Sequence, residues 1–84
     1  MNWYRISIIF NPATDIISTK LSLITRLVGI KHVKNVVWNN TTISTTKTEE
    51  DINVKVKKRH LYLVKRILRE YTEDEIMYKI YEIR

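Results

Sequence analysis

The 84-residue sequence contains no cysteine, which removes disulfides and thiolate metal ligation from consideration. It has one glycine and one proline, so few residues are spent on loops and no glycine-rich phosphate cradle can be assembled. No apolar run approaches the roughly 18 residues that a membrane-spanning helix requires. The opening MNWYRISIIF carries Arg5 within its apolar stretch and lacks a small-residue cleavage site, so it does not read as a signal peptide. An intracellular location, in cytoplasm or organelle matrix, is the expectation, with no membrane partner. His32 and His60 stand in no HxxxH or HExxH context, so neither points to a metal. The acids occur as blocks, Glu49-Glu50-Asp51 and Glu73-Asp74-Glu75, and adjacent carboxylates in turns are expected to be solvated. No cofactor motif and no paired catalytic groups emerge, so the chain reads as a non-enzyme.

What remains is a short basic chain. Eighty-four residues make one domain, 1–84, with a small core. Fifteen Lys and Arg against nine Asp and Glu give a net charge of +6, which favours a polyanionic partner: a nucleic acid or an acidic protein surface.

The chain is organised around INVKVKKRHLYLVKRILREY (52–71). Ile52, Val54 and Val56 alternate with polar residues as in a strand. Leu61, Val64, Leu68 and Tyr71 then recur at helical spacing, with Leu63 and Ile67 widening the stripe. From Lys55 to Arg69 there are seven Lys and Arg residues and no acid.

Upstream, Tyr4, Ile6, Ile8 and Phe10 form the inner face of a first strand, leaving Trp3, Arg5 and Ser7 outward. Asn11-Pro12 ends it. A helix is expected over about 12–28, capped by Asn11, Thr14 or Asp15. Its core face would be Ile17, Leu21, Ile24 and Val28, flanked by Ile16, Leu23 and Leu27. Gly29 would close it in a left-handed conformation. Val33 to Trp38 reads as a second strand, with a bulge suggested by the adjacent Val36 and Val37. The Thr-rich segment 39–48 is either an extension of that strand or a hairpin arm. Thr72 and Glu75 match a capping box, yet Ile76, Tyr78 and Ile80 also alternate. A strand-helix-strand-strand-helix order lacks only a closing strand, so topology favours strand there. The expected architecture is α+β: a ferredoxin-like βαββαβ sandwich, a four-stranded antiparallel sheet with two helices on one face.

The other sheet face then carries the candidate site. Arg5, Lys55, Lys57, Lys58 and Arg59 are placed to neutralise phosphates, with Trp3 stacking on an unpaired base. Trp38 is a second stacking candidate. Lys65, Arg66 and Arg69 lie on the polar side of the second helix.

The order of elements resembles the small-subunit ribosomal protein six family of bacteria and organelles. The likeness rests on Tyr4-Arg5-Ile6-Ser7-Ile8-Ile9-Phe10-Asn11-Pro12 before a long helix, on Val36-Val37-Trp38 closing the second strand, and on Leu68-Arg69-Glu70-Tyr71 before the polar turn and Ile76-Met77-Tyr78. The resemblance implies a βαββαβ fold, binding to small-subunit ribosomal RNA and a neighbouring ribosomal protein. The expected function is therefore a non-enzymatic, RNA-binding structural protein. The alternative is a small protein-interaction module, such as a viral or mobile-element inhibitor. It would act on an acidic protein or as a homodimer, with 39–48 as an edge for strand addition.

Overall fold

A computed structural model of the protein describes residues 1–38 and 49–83. The elements run β1 (Asn2–Phe10), α1 (Ile16–Val28), β2 (Val33–Trp38), β3 (Glu49–Val56), a 3₁₀ turn (Lys58–His60), α2 (Leu61–Glu70) and β4 (Ile76–Ile83). The strands form one antiparallel sheet in the order β2-β3-β1-β4. This is the ferredoxin-like arrangement. Of residues 75–83, Ile76–Ile83 close the sheet as its fourth strand rather than forming a helix. The Thr72 hydroxyl donates to the Arg69 carbonyl, and the Thr72–Glu75 capping box does not form. The alternative readings of residues 39–48 lie outside the described residues.

Period-two alternation assigns the faces. Tyr4, Ile6, Ile8 and Phe10 of β1, Ile52, Val54 and Val56 of β3, and Ile76 of β4 are buried. They pack in one core with Ile16, Leu23, Leu27, Val64, Leu68 and Tyr71 from the helical layer. Both helices therefore cover one face, and among the described residues the opposite face is left open. Burying a Leu or Ile side chain is worth about 1.5–3 kcal/mol, so this layer supplies most of the stability available to a domain this small.

Helix α1 departs from expectation in three ways. It starts at Ile16 rather than near residue 12, and of the three expected caps Asp15 serves, accepting from the Ser18 amide at 3.2 Å. Asn11 instead makes a turn of its own, its Oδ1 accepting from the Ala13 amide at 3.0 Å. The helix also buries the flanking stripe, Ile16, Leu23 and Leu27, while Ile17, Leu21 and Val28 are exposed. The two stripes lie about 100° apart on the helix, and apolar spacing alone does not choose between them. Polar partners do: Thr19 donates to Glu75 at 3.1 Å, Ser22 and Tyr71 share a 2.7 Å hydrogen bond, and Arg26 pairs with Glu70. Finally, Gly29 has φ −72° rather than a left-handed conformation.

The acidic block Glu49-Glu50-Asp51 is likewise not a solvated turn but the start of β3. Glu49 begins the strand, and Glu50 is 4% exposed on its covered face. Its carboxylate accepts from Lys20 Nζ at 2.8 Å and from the Trp38 indole at 2.7 Å. Lys20 Nζ also lies 4.8 Å from the Trp38 ring centroid. This cluster fastens α1 to β2 and β3. The bulge in β2 falls between Val33 and Asn35, earlier than the paired valines suggest. Among the described residues no helix is long and apolar enough to cross a membrane.

Candidate nucleic-acid interface

Strand pairing sets the open face in rows. Across β3, β1 and β4 these read Lys55–Trp3–Ile83, Asn53–Arg5–Tyr81, Asp51–Ser7–Lys79 and Glu49–Ile9–Met77. The face is polarised: aromatics and cations occupy the end where β3 leaves the sheet, and acids with apolar side chains occupy the other. The half-buried Trp3 has Lys55 Nζ 5.9 Å from its ring centroid. The Arg5 guanidinium carbon is 5.1 Å from the Tyr81 ring centroid. Both geometries hold a cation beside a ring face.

At that end β3 runs into a cationic turn. Lys57 continues with extended backbone (φ −67°, ψ 140°), and its carbonyl accepts from the His60 amide at 2.8 Å. Lys58 and Arg59 follow in the 3₁₀ turn, and all three side chains are exposed. His60 stacks on His32 with ring centroids 3.8 Å apart. Desolvation there, followed by the charges of His32, Arg59 and Lys57, holds the His60 imidazole below its ordinary value. Among the described residues the ion pairs are Lys20–Glu50 and Arg26–Glu70, so none of Arg5, Lys55, Lys57, Lys58 and Arg59 is paired to an acid there.

Of the six residues expected at the site, Trp3, Arg5 and Lys55 share the open face, and Lys57, Lys58 and Arg59 extend it at its rim. Trp38 does not join them. It is half-buried on the covered side, and its indole is engaged by Glu50. Lys65, Arg66 and Arg69 are exposed on α2 in the helical layer, apart from this surface. Tyr81 and Lys79 are additions. Their signal was the alternation in the last segment, readable only once that segment is a strand paired to β1.

Chemically, the arrangement can bind extended polyanions. The rings offer stacking surfaces and the cations offer phosphate contacts. No cluster of three or more His, Cys, Asp or Glu residues with metal-binding geometry occurs among the described residues. Neither a protein-family model nor a curated protein sequence matches the chain.

Proposed function

We propose that the protein is a non-enzymatic RNA-binding structural protein that holds single-stranded or looped RNA on the basic end of its open sheet face. One observation carries the reading: Trp3, Arg5 and Lys55 share a face that no described element covers, their cations are neutralised by no described acid, and the face is continuous with Lys57, Lys58 and Arg59. Phosphates would supply the missing counter-charge, and an unpaired base would cover Trp3. Duplex is the poorer ligand because its bases are already stacked. The likeness of the Tyr4 to Pro12 stretch and of the element order to the small-subunit ribosomal protein six family supports ribosomal RNA as the target, beside a second ribosomal protein.

The test is a titration of the protein with single-stranded RNA, followed by backbone amide NMR. Shifts concentrated at Trp3, Arg5, Lys55, Lys57 and Arg59 are expected. Shifts confined to α2, or none, would refute the reading.

A second reading, a protein-interaction module such as an inhibitor encoded by a virus or mobile element, is favoured by the exposed apolar stripe of α1. Ile17, Leu21 and Val28 would then contact a partner whose acidic surface complements the net charge.

A further inference from the structure

The sheet has two edges, and they differ. Edge strand β2 carries an irregularity between Val33 and Asn35. Such bulges are one way proteins prevent edge-to-edge pairing. Edge strand β4 has eight residues and follows β1 in unbroken register from Ile76 to Ile83. It contains no proline and a single lysine, Lys79. Its open-face side chains are largely apolar: Met77 is 68%, Tyr81 44% and Ile83 42% exposed.

We infer that β4 pairs antiparallel with β4 of a second copy, producing one continuous eight-stranded sheet. The register follows from side-chain chemistry. A two-fold axis normal to the sheet keeps both open faces on the same side. Directly opposed residues then share a face, and the axis passes through a residue. Centring at Tyr78 or Tyr81 leaves only about five residues in the ladder. Centring at Lys79 sets two like charges directly opposite each other, which is destabilising. Centring at Ile80 opposes Lys79 to Tyr81 of the second copy, twice, as cation and ring. It opposes Met77 to Ile83, Tyr78 to Glu82, and Ile80 to itself. Every pair is complementary, and the symmetry supplies each contact on both sides of the axis. The inference is independent of RNA binding, although the pairing would merge two open faces into one surface.

Sedimentation equilibrium of the full chain tests this. The native protein is expected to dimerise with rising concentration. Met77→Glu combined with Ile83→Glu sets like charges across two pairs and gives a monomer. Met77→Glu combined with Ile83→Lys sets opposite charges across the same pairs and restores the dimer. If the first variant loses its far-UV spectrum, Lys79→Glu replaces it. That change removes the cation from both Lys79–Tyr81 pairs and should weaken the dimer roughly tenfold. A native chain that stays monomeric, a dimer that survives the like-charge change, or a failure of the opposite-charge pair to restore it overturns the proposal.

Discussion

Replacing Lys57 and Arg59 together with glutamate weakens single-stranded RNA binding by roughly 25-fold or more at about 0.1 M salt. Each phosphate contact on a single strand contributes about 0.7 to the slope of log affinity against log salt, or about fivefold at that concentration. Losing two contacts therefore lowers the slope by about 1.4, and the introduced carboxylates add repulsion. Stability should change little, because both side chains are exposed and lack an acidic partner among the described residues. The decisive control is Lys65→Glu with Arg66→Glu on α2. It changes the net charge equally but on the helical layer, so it should cost much less affinity. Filter binding or fluorescence anisotropy measures both. Equal losses from the two pairs would mean that total charge, not this surface, drives binding.

Replacing Lys20 with methionine destabilises the fold by about 3 kcal/mol, the cost of stripping one partner from a buried ion pair. Glu50 has a fully buried side chain, and Lys20 Nζ approaches its Oε2 at 2.6 Å. Without the lysine the carboxylate keeps its Trp38 donor, but its charge is no longer balanced by Lys20. A domain of this size has a stability of about 4–13 kcal/mol, so the loss should lower the melting temperature by more than about 12 °C. Adding Glu50→Leu to Lys20→Met recovers a large part of it, because the buried carboxylate that lost Lys20 is then removed as well. Calorimetry of the single and double variants gives the coupling. Additive losses would show that Lys20 and Glu50 act independently.

The contrast between these residues explains what was legible in the sequence. Strands β1 and β3 could be read because period two admits one inner face, and that face fixed Trp3, Arg5 and Lys55 outward. The face of α1 could not be read. Two apolar stripes overlap on it, and the choice depends on Glu75, Tyr71, Glu70 and Glu50, which are distant in sequence. Glu50 looked solvated because its neighbours are acids. Its burial becomes visible only when the strand's phase is extended back past Ile52 and a cation is found on α1. Tyr81 was hidden for a related reason: its place beside Arg5 depends on the β1–β4 register.

The most direct test of the central claim is the affinity of the native protein for single-stranded RNA and for duplex DNA across a salt series. A steep fall with salt and a preference for the single strand are expected, since cations set the slope and Trp3 requires an unstacked base. Weak, salt-insensitive binding to both would contradict it and assign the positive charge to an acidic protein partner.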